Sequence, residues 1–439
     1  MEDLAVLQNP WWADPDAIYE DERVRKALSR KPRIGYRFEP LNKILIGPRQ
    51  VGKTTYMKLS IANLIESGVS PRNIFYFSCD LLRDYREIVS VVKSFLRSVK
   101  GTAYVFLDEV TFVEGWERSV KFLLDSPLSS KMILQVTGST SAGIRRESFP
   151  GRKVKVEEFL PLDFRTVSLL FEPKLKNIKL PHGLPKTGRE FYENALELYP
   201  YLEVLSGALD FYLSSGGYPR SIYELLEGRI TSETYEMIYN ATVLDVVKLG
   251  RSERIALSII LGLLRRYGDR ITLNSLAKEL EIGSHVTVRD YLELFEELFI
   301  GRNYFQVKLH ELVPMFRKER KFYFADPLLV QTFRRLFGKG PETDRIIEGV
   351  VGEHLKRLYP TYFFSGSREV DFITAGFGVE VKWRNRVKSS DFPRVGIKEK
   401  ILLSKDKLEF LEENNLAIIP VPLFLFQLHP ASSNLATVS

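Results

Sequence analysis

Gly47-Pro48-Arg49-Gln50-Val51-Gly52-Lys53-Thr54 is the run whose residue types and spacing point most directly to chemistry. It satisfies every defined position of the Gly-x-x-x-x-Gly-Lys-Thr phosphate-binding loop, the P-loop. Glycines let backbone N–H groups converge on phosphate oxygens, and a following helix adds the positive potential of its N-terminus. In that setting Lys53 would bridge the β- and γ-phosphates of a nucleoside triphosphate, and the Thr54 hydroxyl would ligate Mg²⁺. A second element suits the same chemistry. Ala103-Tyr104-Val105-Phe106-Leu107 reads as a buried strand that ends in Asp108-Glu109. Carboxylates just past the end of a parallel strand lie where open α/β sheets bind ligands. Asp108 is expected to organise the Mg²⁺ shell, and Glu109 to polarise the attacking water. An Asp-Glu pair alone would be an ordinary surface feature. Its place after an apolar run, one strand–helix–strand unit beyond the loop, points to hydrolysis.

A separate pattern lies near the C-terminus. Glu369-Val370-Asp371-Phe372-Ile373 and Val379-Glu380-Val381-Lys382 read as two alternating strands. Period two puts Glu380 and Lys382 on one face, with Val379 and Val381 toward the core. An acid on one strand and Glu-x-Lys on the next is the PD-(D/E)XK nuclease arrangement. There, two carboxylates hold a divalent metal that generates hydroxide, and the lysine orients the nucleophile. Asp371 and Glu380 are the expected ligands, of Mg²⁺ or Mn²⁺, with Lys382 as the catalytic lysine. Glu353, on the helical stretch from Asp344 to Leu358, is a further candidate ligand. The plainer alternative is a half-exposed strand with alternating charges, and a Glu353 that pairs with Arg357 one turn on. A basic stretch follows: Arg384, Arg386, Lys388, Arg394, Lys398 and Lys400.

These residues need a frame. Ile44–Ile46, Ile74–Phe77, Tyr104–Leu107 and Met132–Val136 are strand candidates separated by helix-like runs, which argues for a parallel sheet flanked by helices. Thr137-Gly138-Ser139-Thr140-Ser141 follows the last strand. Ser139 there is placed to sense the γ-phosphate; a Ser/Thr-rich turn is the alternative. Residues 161–250 become mostly helical, with Gly216-Gly217-Tyr218-Pro219-Arg220 as the one irregular cluster. It is either a plain turn before a helix or a lid segment, with Pro219 on adenine and Arg220 on the phosphates. Residues 251–325 have the layout of a winged helix. Its second helix would offer His285, Thr287 and Arg289 to a DNA groove. Glu293, Glu296 and Glu297 on the same helix repel phosphate. Arg265, Arg266 and the run Arg317-Lys318-Glu319-Arg320-Lys321 are better phosphate-facing candidates.

With 439 residues, 44% hydrophobic and 27% charged, the chain suits a soluble globular protein of several domains. The net charge of +7 favours nucleic acid as a partner. One cysteine, Cys79, excludes an internal disulfide and a zinc ribbon, and the five histidines are dispersed. No run is long and apolar enough to span a bilayer, and the start lacks a signal pattern, so the expected location is cytoplasmic and no membrane partner is expected.

Taken together, the chain resembles a family of archaeal and bacterial AAA+-like ATPases related to the signal-transducing branch. Its members join a P-loop core to a winged helix and a restriction-endonuclease-like C-terminal domain. The resemblance is carried by Gly47 to Thr55, Leu107-Asp108-Glu109, Thr137-Gly138-Ser139, Pro150-Gly151-Arg152, Leu160-Pro161-Leu162-Asp163-Phe164, Gly217-Tyr218-Pro219, Glu369-Val370-Asp371 and Glu380-Val381-Lys382. It implies an α/β fold in four parts: a P-loop ATPase core over 1–160, a helical lid over 161–250, a winged helix over 251–325 and a nuclease-like domain over 326–439. It implies ATP rather than GTP, in keeping with the lack of an Asn-Lys-x-Asp motif, and a Gly-x-Pro turn that closes on the nucleotide. It also makes Arg152 an arginine that senses the γ-phosphate, in cis or from a neighbouring copy in an ATP-dependent homo-oligomer. DNA processing by an ATPase coupled to a nuclease-like domain is the expected role. The alternative is an ATP-driven switch whose C-terminal domain only binds a partner.

Overall fold

The computed structural model describes residues 2–141, 149–309, 311–429 and 437–438. The chain divides into two compact units, Met1–Leu160 with Asn434–Ser439, and Pro161–Ser433.

Five parallel strands build the first unit: β1 (Lys43–Ile46), β2 (Ile74–Ser78), β3 (Ala103–Asp108), β4 (Met132–Gly138) and β5 (Lys155–Glu158). Their order is β2-β3-β4-β1-β5. The first four are nearly continuous apolar runs, as strands covered on both faces by helices must be. Helices α1 (Lys53–Glu66) and α2 (Trp116–Asp125) are among the connections. Because β4 inserts between β1 and β3, the C-terminal ends of these three strands lie side by side. That is where the P-loop, the Asp-Glu pair and Ser139 emerge.

Strand β5 has no counterpart among the sequence expectations. Lys155-Val156-Glu157-Glu158 carries one apolar residue and lies at the sheet edge, where charge is tolerated. At the other edge, side chains from the N-terminal segment complete β2. Asn9 Nδ2 donates to the Tyr76 carbonyl (2.8 Å) and Asn9 Oδ1 accepts from the Tyr76 amide (2.7 Å). The Trp12 indole donates to the Ile74 carbonyl at 2.8 Å, and its ring stacks on Phe75 and Phe95.

In the second unit, helix α3 (Pro219–Leu226) follows the Gly216-Gly217-Tyr218 turn. Helices Glu253–Arg265, Leu273–Glu279 and α4 (His285–Glu297) precede an antiparallel pair, β6 (Gly301–Phe305) and β7 (Arg320–Phe324). Thr272 opens the middle helix with a capping box to Ser275. Helices α5 (Pro327–Phe337) and α6 (Thr343–Leu358) come next. Six strands then form a mixed sheet: β8 (Tyr362–Ser365), β9 (Glu369–Ile373), β10 (Gly378–Val381), β11 (Lys400–Ser404), β12 (Glu409–Leu411) and β13 (Leu416–Pro420), in the order β8-β9-β10-β11-β13-β12. Residues 346–355 of α6 are all buried, including Glu348, Glu353 and His354. Gly352 brings the helix close to β9, since a Cβ there would fall 2.7 Å from the Phe372 ring. Among the described residues no helix is long and apolar enough to cross a membrane.

Candidate functional site

The P-loop leaves β1 with Gly47 pressed against the chain that exits β5. A Cβ on Gly47 would sit 1.9 Å from the Phe159 carbonyl oxygen. Left-handed backbone at Gln50 (φ 69) and Gly52 (φ 102) then turns the loop into α1, whose N-cap is Gly52. Val51 is buried, and the Arg49 guanidinium lies over the Phe112 ring at 5.4 Å. Pro48 is also buried, and Thr55 occupies the first turn of α1. Lys53 is 4% exposed, and its ammonium donates to the carbonyls of Gly47 (2.7 Å) and Pro48 (2.8 Å). The loop thus curls around its own lysine, a cradle with the shape and charge for phosphate oxygens.

Asp108 meets this loop through hydroxyls. Its carboxylate accepts from Thr54 Oγ1 on α1 at 2.7 Å, from the Tyr76 phenol on β2 at 2.9 Å, and from Thr137 Oγ1 on β4. Burial pushes the Tyr76 phenol far above its ordinary pKa, and the Asp108 charge adds to the effect, so the phenol stays a donor. Glu109 takes the left-handed conformation (φ 55), which costs a non-glycine residue about 1 kcal/mol and is typical of functional positions. Its amide donates to Thr137 Oγ1 at 3.1 Å, and its carboxylate accepts from Ser139 Oγ at 3.0 Å. A single hydroxyl, that of Thr137, therefore ties Asp108 to the backbone of Glu109. Oxygen donors from Thr54 and Asp108, already 2.7 Å apart, fit a Mg²⁺ ion, which prefers hard ligands.

The other nucleotide-directed candidates have local partners. Arg152 forks onto Asp125 at the end of α2, at 2.8 and 2.5 Å. Pro219 starts α3, and Arg220 pairs with Glu224 one turn on at 2.9 Å. The turn before Pro219 is fixed within its unit: the Gly217 carbonyl accepts from the Leu162 amide (2.8 Å), and its amide donates to Asp326 (2.8 Å). Two short motifs distant in sequence, Leu162-Asp163-Phe164 and Gly217-Tyr218-Pro219, thus meet.

The C-terminal candidates also come together, with different company. The β9–β10 register pairs Phe372 with Val379, which places Asp371 opposite Glu380. The Asp371 amide donates to Glu380 (3.3 Å), and the Val381 amide donates to Asp371 (2.9 Å). Lys382 Nζ lies 2.5 Å from Glu380. Burial, then repulsion from Asp371, raises the Glu380 pKa against the pull of Lys382. Glu353, the expected further ligand, instead forms ion pairs with Arg357 (3.1 Å) and Arg302 (3.4 Å). The α6 acid that reaches the cluster is Glu348, five residues earlier and so about 140° around the helix.

The residue at the centre is Lys321. Its ammonium is 2.9 Å from Glu348, 2.6 Å from Glu369 and 3.4 Å from Asp371. Burial alone would lower its pKa, but these three carboxylates outweigh that and hold it well above the ordinary lysine range. Lys321 and Arg320, expected to face phosphate, are instead 1% and 4% exposed. Among the described residues no group of three or more His, Cys, Asp or Glu side chains is placed to hold a metal ion. Asp371 and Glu380, the expected pair of ligands, stand opposite each other, each in contact with a lysine: Lys321 at Asp371 and Lys382 at Glu380.

Residues 40–168 match the model of a family described as an AAA domain. The first unit therefore carries an AAA-type ATPase domain on a parallel-sheet P-loop fold. A second match, to a domain of unknown function (DUF8612), covers residues 206–339. It takes in the Gly217 turn, Lys321 and Asp326. Two relatives, both described as uncharacterized proteins, extend over more of the chain. One from Methanocaldococcus jannaschii is 25% identical, over 86% of this chain and 84% of its own length. One from Haemophilus influenzae is 23% identical, over 75% of this chain and 78% of its own. Among solved structures, a RuvB from Thermotoga maritima is 18% identical with a TM-score of 0.28, covering 60% of this chain and 81% of that one. AMPPCP-bound DnaA from Aquifex aeolicus is 19% identical with a TM-score of 0.27, covering 64% and 86%.

Sequence reasoning missed Tyr76, Thr137 as a linking hydroxyl, Glu348 and Lys321. For the last the sequence holds only a local hint. In Arg320-Lys321-Phe322-Tyr323-Phe324, period two places Lys321 and Tyr323 on one face, and both reach Glu348.

Proposed function

We propose that the first unit hydrolyses ATP with the help of Mg²⁺. The observation that carries this is the contact of the Thr54 hydroxyl with Asp108 at the lip of the P-loop, beside a Glu109 held in left-handed backbone. Lys53 and the loop amides bind the β- and γ-phosphates, and Thr54 and Asp108 hold the metal. When bound, Mg²⁺ neutralises charge that develops on the phosphate oxygens. Glu109 orients and polarises the attacking water, with its carboxylate aimed by Ser139. Arg152 exchanges Asp125 for the γ-phosphate, of its own chain or of a neighbouring copy in an ATP-dependent assembly. Pro219 and Arg220 form the lid contact with adenine and phosphate. Lys53→Ala abolishes nucleotide binding, whereas Glu109→Gln keeps binding and loses turnover. Undiminished hydrolysis in Glu109→Gln removes that residue from its role.

For the second unit we infer a winged helix joined to a PD-(D/E)XK-like module that engages DNA in the cytoplasm. Exposure of Arg384, Arg386, Lys388 and Arg394, just beyond the strand that carries Glu380, supports this. The cluster filled by Lys321 favours the second reading, a switch in which ATP drives partner binding without cleavage. ATPase rates on DNA of varied structure separate the two. Stimulation that falls steeply with salt supports DNA engagement, and indifference to nucleic acid supports the switch.

A further inference from the structure

We propose that Lys321 is the resident cation of the second unit's carboxylate cluster and keeps divalent metal out of it. This rests on the nuclease-like reading of Asp371, Glu380 and Lys382. Carboxylates gathered in a buried place repel one another unless positive charge sits among them. A divalent ion is one source of that charge; here the chain supplies it. Lys321 Nζ contacts Glu348, Glu369 and Asp371, and Lys382 contacts Glu380. Arg345 takes the far oxygen of Glu348 at 3.3 Å, and Arg270 takes Glu369 at 3.2 Å. Arg270 and Arg345 are shared with Glu319 and Asp269 at the surface, so Lys321 and Lys382 are the cations that belong to the cluster itself.

The lysine has nowhere else to go. It is the second residue of β7, paired with Tyr304 of β6, and is 1% exposed. Its ammonium cannot turn into water while that strand stays in place. A divalent ion bound by Asp371 would put two further positive charges beside a buried ammonium, at a separation where low dielectric magnifies repulsion. Metal and Lys321 therefore exclude each other. Tyr323, two residues on, donates its phenol to Glu348 and holds that carboxylate toward the lysine.

The test is Mn²⁺ titration of the full chain without nucleotide, read by electron paramagnetic resonance and by thermal midpoint. The variants are Lys321→Gln and the charge-balanced pair Lys321→Gln with Glu369→Gln, which keeps folding feasible if the single change does not. Expected are no Asp371-dependent Mn²⁺ in the wild type and one further Mn²⁺ per chain in the folded variant. That further ion disappears when Asp371→Asn is added, and Mn²⁺ raises the variant's thermal midpoint but not the wild type's. A wild-type chain with Mn²⁺ that Asp371→Asn removes overturns the exclusion while the nuclease-like reading stands. A folded variant that takes up no further Mn²⁺ overturns both.

Discussion

Buried acids in the two units differ in what donates to them, as Asp108 and the cluster around Lys321 show. Asp108 receives its hydrogen bonds from hydroxyls: Thr54, Tyr76 and Thr137. Glu348, Asp371 and Glu380 receive theirs largely from ammonium and guanidinium groups. Hydroxyls orient a carboxylate and leave its charge in place, so it still attracts a metal. In-chain cations cancel the charge, and the acids become part of the scaffold. Both places gather acids at strand positions beside a lysine-bearing segment; the partners distinguish them.

If that contrast is correct, the same kind of substitution has opposite consequences at the two places. Asp108→Asn lowers ATP turnover about 10³-fold, roughly 4 kcal/mol of barrier, and leaves the urea midpoint close to wild type. Glu348→Gln does the reverse. It takes one of three carboxylates from the buried Lys321, leaving Glu369 and Asp371, costs about 2 kcal/mol of stability, and keeps turnover intact. Steady-state hydrolysis together with urea unfolding of both variants breaks the contrast if either one changes both quantities.

A third measurement separates the units by pH. His354 is buried on α6, with Nε2 accepting from the Phe164 amide (2.9 Å) and Nδ1 facing the Val350 carbonyl (2.8 Å), an arrangement for the neutral ring. Burial, then Arg357, lowers its pKa from 6.5 to about 4. The unfolded chain takes up this proton below pH 6.5 while the folded chain refuses it. Stability of the second unit is therefore full above about pH 6.5 and falls as pH drops toward 4, by roughly 3 kcal/mol at most. His354→Gln flattens that limb of the urea-midpoint profile. The smallest expected effect is at Ser139. Ser139→Ala frees the Glu109 carboxylate and slows turnover about tenfold, near 1.4 kcal/mol, with nucleotide affinity unchanged.

Much of the first unit was legible in the sequence because its signals are local. A P-loop between an apolar strand and a helix, and an acid pair ending another apolar run, need no knowledge of distant partners. The polar sequel at Thr137-Gly138-Ser139 was legible too, since β4 runs beside β3. The second unit obscured its chemistry for a physical reason. Helix α6 is buried all round, so periodicity cannot say whether Glu348 or Glu353 faces the sheet, and the sequence reading chose Glu353. Strand β7 is buried on both faces as well, and its Arg320-Lys321 pair looks in sequence like any basic surface run. Only the fold shows that acids from α6 and β9 meet that lysine.

Asn9 has a consequence of its own. With one amide side chain it fills both backbone positions of Tyr76 on the outermost strand, and that strand's phenol in turn reaches Asp108. Strand edges left bare recruit whatever extended chain drifts near, and this one is apolar along its length. A chain shortened before Pro10 would bare the Tyr76–Ser78 end of this strand, where Asn9 and Gln8 now bind, as a template for strand addition from a second copy. Its self-association would then compete with the orientation of Tyr76, so loss of solubility and loss of turnover would share one cause more than sixty residues away in sequence.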